Sequence, residues 1–243
     1  AWSNSSFRPT GFFGEYPVRI GDAEIRPIDL TAKLLFPMWQ LPEGRSQPGL
    51  VQHTVGWPLD SRTYGGSFIY HLDEDREYIG FVVGLDYEDP AFSPFEAFQQ
   101  FKHHSRIRPL LEGGEIVAAG ARTLIEGGLQ ALPRLEMPGC VLVGDAAGTL
   151  NVPKIKGVHQ ALKCGMLAAD HLVEKSAADG FDARLHDSDV VRELHRVRNI
   201  RPAFYKGFWR GFLRAAIETV TVGKLPWTLK VHADDTALGK LDG

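Results

Sequence analysis

Two glycine-containing stretches hold the residues whose types and spacing could do chemistry. The first is Gly144-Asp145-Ala146-Ala147-Gly148-Thr149, followed by Asn151-Val152-Pro153-Lys154 and Gly157. A carboxylate only accepts hydrogen bonds, so Asp145 is suited to ligand hydroxyls such as those of a flavin's ribityl chain. Free amides at a helix start just after Gly157 would face a pyrophosphate. Gly144, Gly148 and Gly157 would let backbone approach a ligand closely. The competing reading is an ordinary β-α turn with Asp145 as a cap. The second stretch is Tyr64-Gly65-Gly66-Ser67-Phe68. A glycine pair at the head of a strand fits either a structural bulge or a place where a ligand meets bare backbone.

The elements that would position these residues follow from local pattern. Cys140 to Val143 reads as a buried strand of a parallel sheet, and the helix after Gly157 as burying Val158, Ala161, Leu162, Gly165, Ala168, Ala169 and Leu172. Residues 51–59, 64–72 and 77–86 read as strands of an antiparallel meander. Ser93 to His104 carries start signals for a helix: Ser93 as N-cap, Pro94 at the first position and Glu96 completing a capping box. Phe95, Phe98 and Phe101 form its expected buried stripe. Glu115 to Arg122 reads as a further strand. Residues 1–49 show little sustained periodicity and are left unassigned, although Ala23 to Leu30 could be a strand and Leu34 to Trp39 a short buried run.

Past Pro202 a helical pattern has two contrasting faces. Phe204, Tyr205, Phe208, Trp209, Phe212, Leu213, Ala216, Ile217 and Val220 lie on one side, and Lys206, Arg210, Arg214 and Glu218 form a line opposite. A core-packed helix, a partner-binding helix and an interfacial membrane helix all fit this pattern; the last wants Trp, Phe and Leu facing Lys and Arg.

Composition bounds the rest. The 243 residues, 44% hydrophobic with a formal net charge of −3, describe a folded chain with no general affinity for nucleic acid. No run of about 18 uncharged apolar residues could span a bilayer. The start lacks both Met and a secretory signal, which suggests a processed or excised chain. Cys140 and Cys164 read as buried free thiols. His103 and His104 point about 100° apart on a helix, so no metal site is expected. No side chain is assigned as nucleophile or other catalytic group.

Several blocks together resemble electron-transfer-flavoprotein:ubiquinone oxidoreductase. They are QHTVGWPLDSRTYGGSFIYHL, GFVVGLDYEDPAFSPFEAFQQFKHH, LEGGEIVAAGARTLIEGG, VGDAAGTLNVPKIKGVHQALKCG, VRNIRP and PWTLK, in family order over about residues 50–230. The resemblance implies an α+β fold: a partial FAD-binding (glutathione-reductase-like) domain, an antiparallel β-sheet quinone-binding domain and a C-terminal amphipathic helical segment. Residues 50–115 would be the ubiquinone-binding sheet, 116–180 the C-terminal part of the FAD domain and 181–243 the membrane-contacting helical segment.

It further implies FAD along Gly144, Asp145, Gly148, Asn151, Val152 and Gly157, and the ubiquinone head on Gly65 and Gly66. Monotopic membrane contact would run through Phe204, Phe208, Trp209, Phe212 and Leu213. Electrons would pass from reduced electron transfer flavoprotein, through a 4Fe-4S cluster in the full-length enzyme and FAD, to ubiquinone. The location implied is peripheral, on the matrix side of the mitochondrial inner membrane or on a bacterial cytoplasmic membrane. This chain departs from the pattern in lacking a G-x-G-x-x-G fingerprint and the cysteine cluster, so it reads as a portion of the enzyme. A geranylgeranyl-reductase-like or nitrogen-fixation-type flavoprotein is the alternative, disfavoured by the YGGSF and GWPLD blocks; a non-catalytic membrane-binding fragment is another.

Overall fold

The computed structural model describes residues 18–20, 23–25, 31–237 and 239. Its centre is a five-stranded antiparallel sheet in the order β4-β5-β6-β3-β7. The strands are β3 (Thr31–Gln40), β4 (Val51–Thr54), β5 (Gly65–Leu72), β6 (Arg76–Gly84) and β7 (Glu115–Ile125); β1 (Val18–Ile20) and β2 (Ala23–Ile25) make a separate small hairpin. The alternation in β5 sends Ser67, Ile69 and His71 to the core and leaves Phe68 and Tyr70 on the other face. On that second face aromatic rings cover bare backbone. A side chain at Gly80 would collide with the Phe68 ring, and one at Gly120 with Phe36.

Between β6 and β7 lie α1 (Pro94–Lys102) and the single turn α2 (Arg108–Leu111). Ser93 caps α1 by accepting from the Glu96 amide at 3.3 Å. Phe98 and Phe101 drive into the core against Leu35, Ile69, Ile79, Phe81 and Val83. Phe95 does not join them: it is 55% exposed. The buried face of α1 runs through Pro94, Ala97, Phe98 and Phe101, which points Phe95 about a quarter-turn away from the sheet.

The strand β3 comes from the segment the sequence left unassigned. It sits between β6 and β7 with Ala32, Leu35 and Pro37 buried. The β3–β6 register skips Phe36 and Pro37, which is where a residue without an N–H can be accommodated.

A second core gathers the helices α3 (Val158–Lys175), α4 (Phe181–His186) and α5 (Asp189–Arg196) around Leu135, Ala147, Cys164, Ala168, Phe181, Leu185 and Val190. Two expectations fail here. Cys140–Val141 is β9 of a two-residue hairpin with β8 (Glu136–Met137), antiparallel rather than part of a parallel sheet, and Cys140 is exposed, not buried. The buried face of α3 is Gln160, Cys164, Ala168 and His171, while Val158, Leu162 and Leu172 face outward. The helix is apolar on more than one side, and its second core seats the narrower side.

The C-terminal segment is two pieces rather than one helix past Pro202. After α6 (Ile200–Ala203) a 3-10 turn covers Phe204–Lys206, and α7 runs Phe208–Val220. Gly207, at φ 91° and ψ 162°, separates them, a conformation that strongly favours glycine. A Cβ at Gly211 would meet Phe204 at 2.4 Å, so this glycine lets α7 pack on the turn before it.

Candidate functional site

The glycine pair begins β5, with Gly65 opposite Val83 and Gly66 opposite Val82 on β6. On the other side β4 ends at Thr54, opposite Ser67. The β4-side edge of Gly65–Gly66 therefore has no strand partner among the described residues. The protein itself also needs these residues bare. A Cβ at Gly65 would lie 2.3 Å from the Val82 carbonyl oxygen and 2.5 Å from Leu59 Cδ1, and one at Gly66 would lie 2.6 Å from the Thr54 carbonyl oxygen.

Next to the pair, Tyr64 touches the helical segment. Its ring meets Phe204 edge-on at 5.9 Å between centroids, and the Arg201 guanidinium stacks on it at 3.8 Å. Arg201 is buried and donates from Nη2 to Asp86 Oδ1 at 2.8 Å. The buried Glu126 carboxyl, just past the end of β7, comes within 4.0 Å of Arg201 Nε. Neither Glu126 Oε2 nor Arg201 Nε has a hydrogen-bond partner among the described residues.

Electrostatics in this cluster are strongly displaced. Burial, with further push from Asp86 and Asp234 against the pull of Arg201, raises the Glu126 carboxyl to about 7. Burial and the neighbouring Glu126 raise the Tyr64 phenol to about 12. Burial opposes the charge of Arg201, but Asp86, Tyr64 and Glu126 hold it protonated. Sequence reading missed all four of Tyr64, Asp86, Glu126 and Arg201 as one group. Arg201 and Asp86 are 115 positions apart, and no local pattern links them.

The membrane-contact candidates separate. Phe204 and Phe208 are half-buried in an aromatic row running from Tyr64 through Phe204 and Phe208 to Phe212. Trp209, Phe212 and Leu213 are exposed at 79%, 58% and 64%. Ile217 and Val220 continue the exposed stripe. Glu218 leaves the expected polar line: it is buried, accepting from Asn199 Nδ2 at 3.1 and 3.2 Å on its two oxygens. Arg198 lies 3.9 Å from the same carboxylate.

The Gly144–Gly157 stretch is brought together by α3. Gly144 to Ala147 form a 3-10 turn, and Gly148 closes it at φ 76°. A Cβ at Gly157 would meet Asp145 Oδ1 at 2.7 Å, which places the exposed Asp145 carboxylate at the N-terminus of α3. It is not that helix's cap: α3 has no side-chain cap hydrogen bond. An exposed acceptor beside uncapped amides is the donor and acceptor set a dinucleotide takes. Asn151 has a different job. Its Oδ1 accepts from the Lys154 amide at 3.3 Å and its Nδ2 donates to Glu193 Oε1 at 2.7 Å. Lys154 and His159 join the same oxygen, and their hydrogen bonds pull the partly buried Glu193 down to about 2. The Asn151 side chain is thus committed to holding the loop on α5, and Val152 follows it in a 3-10 turn.

Comparison with known proteins bears on the whole chain. Residues 35–124 match the profile described as ETF-QO, ubiquinone-binding, a span that runs from within β3 to near the end of β7. The chain is 51% identical over 198 residues to the mitochondrial electron transfer flavoprotein-ubiquinone oxidoreductase of Oryza sativa subsp. japonica, covering 79% of this chain and 34% of that protein. It is 46% identical to the protein of the same name from Rattus norvegicus and 45% to that from Homo sapiens, in each case over 82% of this chain and 35% of theirs. Among solved structures, a geranylgeranyl bacteriochlorophyll reductase-like protein from Thermoplasma acidophilum aligns with a TM-score of 0.49 at 18% identity over 86% of this chain and 46% of that one, too loosely to argue from. By sequence the chain is similar, at 45–51% identity over about four-fifths of its length, to part of the electron transfer flavoprotein-ubiquinone oxidoreductases, and it spans about a third of the length of the curated relatives it matches.

Proposed function

We propose that this chain is the part of an electron-transfer-flavoprotein:ubiquinone oxidoreductase that holds the quinone and meets the membrane. Electrons arrive from reduced electron transfer flavoprotein and leave on ubiquinone. The observation that carries this reading is the placement of the Tyr64-Gly65-Gly66 backbone, inside the profile-matched span, at the foot of the exposed aromatic helix α7. A quinone dissolved in a bilayer needs a site that opens there.

Gly65 and Gly66 bring backbone within reach of the quinone head, where an amide N–H stabilises negative charge growing on a carbonyl oxygen. The Phe204–Phe208–Phe212 row offers the isoprenoid tail an apolar path. Trp209, Phe212 and Leu213 enter the bilayer surface: fully burying each is worth about 1.5–3 kcal/mol as an upper bound. Among the described residues no helix is long and apolar enough to cross a membrane, and the contact proposed is peripheral. The membrane is the mitochondrial inner membrane, matrix side, or a bacterial cytoplasmic membrane.

The residues around Asp145 fit FAD, which would supply the two-electron chemistry. Asp145 would accept from its hydroxyls, and the α3 amides with Gly144, Gly148 and Gly157 would receive its phosphates. A 4Fe-4S cluster usually takes four thiolates, and the chain's two cysteines, one exposed and one buried, do not make that set.

Because a side chain at Gly65 or Gly66 would strike backbone, substitution there tests folding before it tests quinone. The cleaner experiment adds a short-tailed ubiquinone to the isotope-labelled chain and follows amide shifts by NMR. The reading expects Gly65 and Gly66 to move first. Saturable shifts elsewhere with these two amides still would sink it.

A further inference from the structure

Resting on the quinone-site reading, the geometry points to Glu126 as a charge-setting residue for quinone reduction, acting through Arg201 on the backbone at Tyr64–Gly65. The cluster adjoins the glycine stretch directly. A Cβ built on Gly84 would lie 2.6 Å from Asp86 Oδ1, 2.9 Å from Arg201 Nη2 and 3.4 Å from Tyr64 Cβ. The Gly84 amide in turn donates to the Tyr64 carbonyl at 2.7 Å. Arg201, at 5% exposure, is the cation stacked on Tyr64, and Glu126, at 6%, ends in an oxygen that has no hydrogen-bond partner among the described residues and lies 4.0 Å from Arg201 Nε.

The charged and titratable groups around Glu126 come from four places. They are Tyr64 before β5, Asp86 after β6, Arg201 on α6, and Asp234 near the C-terminus, which accepts from the Thr31 amide and hydroxyl at 2.8 and 2.7 Å. The Arg201 guanidinium already holds Asp86 at 2.8 Å, and Asp234 adds a second carboxylate to the surroundings of Glu126. An ionised Glu126 would add a further negative charge beside the place where the quinone becomes more negative.

Reduction of ubiquinone to ubiquinol adds two electrons, supplied by the flavin of the proposed reaction, and two protons from solvent. One O–H bond forms on each carbonyl oxygen. Glu126 donates nothing in this step; it keeps its proton and so leaves the positive charge of Arg201 available to the growing oxyanion. When Glu126 ionises, that advantage is lost. One unit charge a few ångströms away in a protein interior is worth about tenfold or more in rate.

The test uses the flavin-loaded full-length enzyme, assayed from pH 6 to 9 with a short-tailed ubiquinone and, in parallel, with ferricyanide, which takes an electron without a proton. Expected is a fall of about tenfold in ubiquinone reduction through pH 7, absent with ferricyanide and abolished in Glu126→Gln. Infrared difference spectra across the same titration provide a readout independent of turnover. Glu126→Gln should remove one carboxylic-acid band lost near pH 7, leaving that of Glu77, which burial also raises to about 7. A pH-flat ubiquinone rate in the wild type, or a Glu126→Gln profile that keeps the wild-type inflection, overturns the proposal. Should that variant fail to fold, a pH-flat ubiquinone rate in the wild type still overturns the proposal. An enzyme that reduces ferricyanide but no ubiquinone at any pH overturns the quinone-site reading instead.

Discussion

The helices α1 and α7 carry the same kind of stripe in opposite surroundings. The aromatic residues of α1 fall three apart and those of α7 three and four apart, and each helix also carries basic charge. In α1, Phe98 and Phe101 are 5% and 2% exposed beneath the sheet. In α7, Trp209, Phe212 and Leu213 stand in the open, and the side turned inward carries Gly211 and Glu218. Amphipathic periodicity therefore specifies a helix but not what its apolar face meets. On α7 the inward side is fixed by a buried polar contact, leaving the aromatic side free.

The contrast can be broken most directly through α1. Phe101→Ala should cost about 3–5 kcal/mol of stability by transfer and cavity formation, read from urea denaturation. If the loss is no larger than that for Trp209→Ala, the two helices are not differently employed. Glu218→Ala should cost about 3 kcal/mol because it leaves the buried Arg198 without its facing carboxylate and takes two acceptors from the Asn199 amide, so α7 would be held by the residue its sequence pattern placed on the solvent side. A near-neutral result in the same denaturation series would mean that packing on Gly211 alone seats the helix.

A third effect concerns pH. Glu77, 1% exposed, lies 3.0 Å from His71 Nδ1, which also accepts from the Gln47 amide at 3.2 Å. Burial lifts Glu77 to about 7 and lowers His71, so Glu77 is the side that carries the shared proton. The folded state then holds a proton that the unfolded chain releases above the ordinary carboxylate range. Stability from Glu77 is present in acid and falls as pH rises through about 7, by up to about 3 kcal/mol. Glu77→Gln should flatten that decline in denaturation midpoints between pH 5 and 8. Smallest of all is the expected stability change for Trp209→Asp with Phe212→Asp, within about 0.5 kcal/mol. The same pair should release the chain from anionic vesicles in flotation, and retained binding would remove α7 from the membrane.

How much of this was legible depended on whether the determining contacts were local. The cap at Ser93 and the alternation of β5 are neighbour effects, and both stood in the sequence. The strand β3 hid because Pro37 interrupts it, and only pairing on both sides with β6 and β7 makes it a strand. Periodicity alone cannot choose the buried face of α3, because apolar residues lie on several of its sides. Asp145 and Gly157 were picked from spacing and are in fact adjacent. The Glu126–Arg201–Asp86 group was invisible, since it joins a strand end, a turn and a helix distant along the chain. Family resemblance drew attention to VRNIRP, but only the fold places its second arginine on Tyr64.

Arg198 has one more implication. It donates to the carbonyl oxygens of Gly223, Leu225 and Trp227 at 2.9, 2.6 and 3.2 Å, while Asn199 receives the Leu229 amide at 2.7 Å. The chain leaving α7 is thereby clasped back onto the chain entering it, and Arg201 pins that same entry to the sheet at Asp86. Hydrogen bonds thus tie α7 to the rest of the fold on both sides. On the proposed reading it behaves as a keel: the depth to which the protein settles in the bilayer, and the height of Gly65 above the lipid tails, are then set by the same fitting.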